Sequence, residues 1–206
     1  MSLINLLTKD PVSFFLGAIL FIYSVVIHEV AHGWVAYRMG DPTAKWMGRL
    51  SLNPLKHLDP FGTLMLFLVG FGWAKPVPIN INNIPDRRKG LILVSAAGIT
   101  ANILFAFVAL LVARIFAISP MGSLRFIYYV AYINITLASL NLIPLPPLDG
   151  SKILMGFASV KVQYLLARME PYGIFILIGL LYLGLLDPLI GFFYGIIKGL
   201  IGIVLF

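Results

Sequence analysis

The sequence contains no cysteine. Disulfides and thiolate metal sites are therefore excluded. Charge is scarce as well: 11% of the 206 residues are Asp, Glu, Lys or Arg, where a soluble domain carries roughly 25%. Acidic residues are the scarcer sign, 8 against 15 basic, and only Glu29 and Glu170 are glutamates. No polar stretch is long enough for a separate soluble domain. The longest loop-like piece, Lys75 to Gly90, is a short linker. There is no internal repeat and no low-complexity tract. No interleaving of aromatic and basic residues points to a nucleic-acid partner.

What remains is apolar. Hydrophobic residues make up 60% of the chain, and several runs approach or exceed the roughly 18 residues that cross a bilayer. The chain reads as an all-α polytopic membrane protein with one membrane-embedded domain over residues 1–206. Its core spans about 12–160, and further membrane segments follow at about 171–206. Four to six transmembrane helices are expected, with a short membrane-associated β region and a re-entrant segment.

The first segment runs from Val12 to Met39, too long for the h-region of a signal peptide, so it is retained. Gly40, Asp41 and Pro42 end it. Thr43 to Asp59 alternates partially, which predicts short strands. Phe61 to Trp73 is apolar over only 13 residues, which suits a re-entrant element better than a span. Further segments cover about Gly90 to Ile118, Leu124 to Ile143 and Tyr172 to Leu186. A final stretch, Leu189 to Phe206, spans or lies at the interface. Ser151 to Met169 reads as one short amphipathic or re-entrant helix. Asp10, Asp41, Asp59, Asp86 and Asp187 sit beside prolines or at segment ends, as turn or cap residues do.

Lysine and arginine set an orientation. If Phe61 to Trp73 does not cross, Arg38 to Lys89 lie on one side with eight basic residues. Lys152, Lys161 and Arg168 join them, and Lys9, Arg114 and Arg125 face the other side. The basic side should be cytoplasmic and the N-terminus outside.

Within the first segment stands VVIHEVAHGW, Val25 to Trp34. An ionisable side chain inside a bilayer costs about 2.5 kcal/mol or more and marks function by default. His28 and His32 are four residues apart, so both imidazoles leave one helix face, one turn apart. That spacing lets one zinc ion accept both, while Glu29 can reach a water without ligating the metal. A catalytic zinc needs a third protein ligand. His57, in a mixed polar loop, reads as solvated or interfacial. Asp149, in PLDG after two prolines, is either an N-cap for the following helix or the missing ligand. Beside an H-E-x-x-H that lacks a third ligand, the ligand reading prevails.

HEVAH at 28–32 and NLIPLPPLDG at 141–150 lie on different membrane segments with another span between them. Together they resemble the site-2 protease family of intramembrane zinc metalloproteases. SAAGITAN at 95–102 is similar to that family's small-residue G-P-x-x-N region, with Ile99 in place of proline. AKWMGRLSLNPLKHLD at 44–59 and GWAKPVPIN at 72–80 look like the β region of its compact bacterial members. The similarity covers about residues 12–160 and includes no PDZ or CBS-like extension.

The resemblance implies one zinc per chain on His28, His32 and Asp149, with Glu29 as general base. It implies that Asn141 helps hold an unwound substrate segment and that Asn102 helps polarise the scissile carbonyl. The expected partners are the lipid bilayer and a membrane-anchored protein substrate, cut in or near its transmembrane segment in regulated intramembrane proteolysis. The expected setting is the cell membrane, multi-pass, with the site nearer the cytoplasmic face. A divalent-metal carrier or metal-sensing membrane protein is the alternative. It would need several stacked metal sites, and the sequence offers one cluster.

Overall fold

The computed structural model describes residues 10–69, 72–122 and 124–205. Helices dominate them: α1 Pro11–Arg38, α2 Thr43–Trp46, α3 Pro60–Val69, α4 Arg87–Ile115, α5 Phe126–Asn141, α6 Asp149–Phe157, α7 Val160–Met169, α8 Gly173–Tyr182 and α9 Asp187–Leu205. Four stretches are long and apolar enough to cross a membrane: α1, α4, Val160–Tyr182 and α9. This is a multi-pass membrane protein. Helix α5 is apolar but has only 16 residues.

Local chemistry places the ends. Asp10 accepts the Ser13 N–H at the start of α1, with Pro11 at the first helical position. Asp59 does the same for Gly62 and Asp86 for Lys89. Inside the bundle, α4 is central and packs against α1, α5 and α6. Ala106, Ala131 and Ala138 are buried where α4 meets α5, beside Ile99 and Ile135. Small side chains let membrane helices approach closely, where packing rather than water exclusion drives association. Ile197, Ile201 and Leu205 of α9 close the same cluster. Outward faces carry Phe15, Ile19, Leu104 and Val108, all exposed, as lipid-facing positions should be.

The two flanks of the segment from 60 to 73 meet: Leu58 and Ala74 form an antiparallel bridge, and the Lys75 N–H donates to the His57 carbonyl at 2.8 Å. Gly62 lies so close to the returning chain that a Cβ there would stand 2.1 Å from the Trp73 carbonyl oxygen.

The expected β region does not form. Among the described residues there is no named strand, only the single Leu58–Ala74 bridge. The partial alternation of 43–58 yields to local capping. Asp41 Oδ1 accepts the Thr43 N–H and starts α2, and Asn53 caps a 3-10 turn at Pro54–Lys56. In 74–80, Pro76 and Pro78 have no N–H to give to a ladder. The helix expected over Ser151 to Met169 is two helices. Ala158 and Ser159 are extended, with ψ of 161° and 157°, and separate α6 from α7.

Asp41 ties this region together. Fully buried, it accepts from Thr43 N and Oγ1, Asn83 Nδ2 at 2.7 Å and the Asn80 N–H at 2.7 Å. Burial alone would raise its pKa. The bonds from Thr43, Asn83 and Asn80 outweigh burial and hold the carboxyl below its ordinary value. Asp41→Ala would orphan these donors and is expected to cost about 2–4 kcal/mol. Because the folded pKa is depressed, the contribution is complete above about pH 5 and falls away as pH drops through the folded value. Denaturant melts of wild type and variant from pH 7 to pH 3 would show the gap narrowing with acid. A gap independent of pH would exclude the charged form as its source.

Candidate metal centre and cleft

Ser24, His28 and His32 fall at four-residue spacing on α1, so they share one face. Opposite them stands Gly98 of α4. A Cβ at Gly98 would lie 2.5 Å from His32 Nε2 and 2.6 Å from His28 Cε1, so only glycine leaves room for the imidazole pair. Gly98→Ala should push the rings apart and reduce bound metal at least about tenfold. Metal analysis of the purified variant reads this directly, and full occupancy would show that the rings have slack.

Each ring is held from behind. His28 Nδ1 is 2.6 Å from Asn102 Oδ1, and His32 Nδ1 is 2.7 Å from the Val94 carbonyl. A carbonyl oxygen only accepts, so both Nδ1 atoms carry protons and both Nε2 atoms present bare lone pairs. Those Nε2 atoms are 3.0 Å apart. Asp149 Oδ2 lies 3.1 Å from one and 3.2 Å from the other. All three side chains are buried, and Asp149 Oδ2 accepts no hydrogen bond.

Three acceptors thus converge with no proton between them, an arrangement that could hold a cation. Tetrahedral zinc with bonds of about 2.0–2.2 Å separates its donors by about 3.3 Å. The trio fits that ion with a small opening. Among the described residues it is the one His, Asp or Glu group close enough to hold a metal.

Asp149 arrives from α6. Leu142 to Leu148 forms a tight, proline-rich connection in which the Pro146–Pro147 peptide is cis. Asp149 is the first residue of α6, and its carboxylate caps nothing there. The N-cap alternative is thereby removed.

Glu29 lines the cleft with His28, and its Oε2 accepts the Val77 N–H at 2.8 Å. Segment 74–80 is anchored on either side of that bond. Arg49 Nη2 donates to the Lys75 carbonyl, and the Asn80 N–H donates to Asp41. His57 is not solvated as expected. It is 1% exposed, because the returning chain covers it, and its Nε2 donates to the Ser51 carbonyl. It takes no part in the trio.

The two asparagines diverge. Asn141 lies half-buried on a large cleft and donates back to the Leu137 carbonyl at 3.0 Å. Asn102 is fully buried, with its oxygen on His28 and its nitrogen on Asn134 Oδ1 and the Ser24 carbonyl. Both ends of its amide are engaged within this buried network. Asn134, which completes this network, carries no motif in the sequence that could have singled it out.

The cleft has a volume of about 1170 Å³. Its walls are α1 from Ser13 to Glu29, the cleft side of α5 with Tyr129, Thr136 and Asn141, the return segment 72–76, and parts of α8 and α9. At 1.5 Å per residue it follows α1 for about 24 Å. His28 and Glu29 stand at one end and Arg125 at the other.

The profile of peptidase family M50 matches residues 16–120 and 116–184. The chain is 42% identical over 160 residues to YwhC of Bacillus subtilis, a candidate zinc metalloprotease, covering 74% of this chain and 73% of that one. Rip2 of Mycolicibacterium smegmatis, also a candidate zinc metalloprotease, is 31% identical over 166 residues, or 77% of this chain and 63% of Rip2. The zinc metalloprotease MJ0392 of Methanocaldococcus jannaschii is 28% identical over 147 residues, 71% of this chain and 35% of that protein. No solved structure matches the chain at a significant level.

Proposed function

The chain belongs to peptidase family M50 and is a zinc metalloprotease, and from that premise we propose that it is an intramembrane endopeptidase. Its substrate would be a single-span, membrane-anchored protein cut in or near the transmembrane segment. One observation carries this reading: His28, one of the three convergent acceptors with His32 and Asp149, lines a largely apolar cleft that follows a membrane helix for about 24 Å. A water-soluble peptide would gain little from such walls. An apolar helix would bury against them.

His28, His32 and Asp149 would hold one zinc. Bound there, zinc would polarise the scissile carbonyl and lower the pKa of water towards 7. The chain's own residues supply the rest. Glu29 takes the proton of the attacking water on its carboxylate and returns it to the departing amine. The Val77 N–H keeps that carboxylate in place. Asn102 and the Val94 carbonyl hold the imidazoles with Nε2 bare. Asn141 lines the cleft beside Glu29 and would bind the backbone of an unwound substrate. That unwound stretch would lie along 72–76, which borders the cleft and ends next to the Glu29 bond.

By the bias of lysine and arginine, the site would lie nearer the cytoplasmic face of the cell membrane. A carrier would need a second metal station, and the described residues hold a single metal group. The test uses vesicles holding the purified protein and a single-span reporter. The reporter should be cleaved, and zinc chelation should stop it. A reporter left intact at full zinc occupancy would sink the proposal.

A further inference from the structure

The buried polar network behind His28 has one direction only. Ser24 Oγ donates to the Leu20 carbonyl at 2.8 Å. Asn134 Nδ2 donates to Ser24 Oγ at 2.9 Å and to the Val130 carbonyl at 2.8 Å. Asn102 Nδ2 donates to Asn134 Oδ1 at 2.7 Å and to the Ser24 carbonyl at 3.3 Å. His28 Nδ1 then meets Asn102 Oδ1. Ser24, Asn102 and Asn134 are at most 1% exposed, so no water enters the chain.

A main-chain carbonyl cannot donate. The Val130 carbonyl therefore draws the nitrogen end of the Asn134 amide to itself and leaves Oδ1 for Asn102. Asn102 must answer with its nitrogen, and its oxygen turns to His28. His28 must then donate from Nδ1, which leaves Nε2 bare. We propose that Asn134, through Asn102, is a positioning residue that locks His28 in the metal-binding tautomer. A helix carbonyl on α5 thereby sets the state of a ligand on α1. The inference rests on the reading of His28 as a zinc ligand.

Without Asn134, only the longer 3.3 Å bond to the Ser24 carbonyl still holds the Asn102 nitrogen, and the amide is free to turn over against that weak restraint and present its nitrogen to His28. Nδ1 would then accept, the ring proton would move to Nε2, and that proton would occupy the metal's place. Second partners of metal-binding histidines are typically worth 10–100-fold in affinity. Asn134→Leu, close in shape, should weaken zinc binding by that factor in chelator competition on the purified full chain. Adding Asn102→Asp supplies a group that can only accept from His28. The double variant should recover wild-type affinity to within about twofold, the spread of independent effects. A packing defect at Asn134 would not be repaired from position 102.

Zinc bound by Asn134→Leu as tightly as by wild type overturns the inference, as does a double variant no better than the single one. A wild type that takes up no zinc would instead overturn the zinc reading. In that case, or if Asn134→Leu does not accumulate, nitrogen-15 spectra of zinc-free wild type decide. His28 should show a protonated Nδ1, and an unprotonated Nδ1 overturns the relay.

Discussion

Glu29→Gln is expected to lower cleavage by about 10³-fold while zinc stays bound at one ion per chain. The magnitude is that of losing a positioned general base, typically 10² to 10⁴. Glutamine has the size of glutamate, and its amide oxygen can still accept the Val77 N–H that Glu29 Oε2 now accepts. The three metal-binding groups are on other side chains, so occupancy should not move. Only the capacity to take a proton disappears. Uncut substrate should accumulate in cells and in vesicles. A carrier would keep its metal flux in this variant. Normal processing by a zinc-loaded Glu29→Gln protein would remove Glu29 from the chemistry and the endopeptidase reading with it.

Asp149→Ala is expected to abolish stoichiometric zinc, with affinity falling well over 100-fold. Losing a direct ligand should exceed the 10–100-fold effect of losing a second-layer partner. The carboxylate also supplies the only negative charge in the trio, against two neutral imidazoles. His57→Ala is the matched control. It removes a buried histidine that bonds to the Ser51 carbonyl, and it should lower stability without touching zinc. Metal analysis of wild type and both variants needs no substrate. Zinc retained after Asp149→Ala would separate the two distant motifs that the structure brings within 3.2 Å of each other.

Much of the site was legible because helix periodicity is local. His28 and His32 share a face at any i, i+4 spacing, and the run around them is too apolar to hold them by accident. Capping aspartates were equally plain, since Asp10, Asp59 and Asp86 act on the third residue beyond. The strands were misread because alternation is a weak signal where a lipid interface, Asp41 and Asn53 all offer the backbone other partners. His57 was misread because what buries it is the chain returning at Ala74, which its neighbours in sequence do not reveal.

By itself, then, the sequence determined a cysteine-free membrane chain, its long helices and a histidine pair spaced for one ion. Those properties follow from composition and from contacts within one helical turn. Tertiary structure alone decided the rest. It left the Asp149 carboxylate without a cap bond and set it against His28 and His32, bonded Asn102 to His28, and joined Asn134 to that network across 32 residues. The physical reason is the satisfaction of buried polar groups. Each buried amide must find a partner, and only the packed arrangement says which.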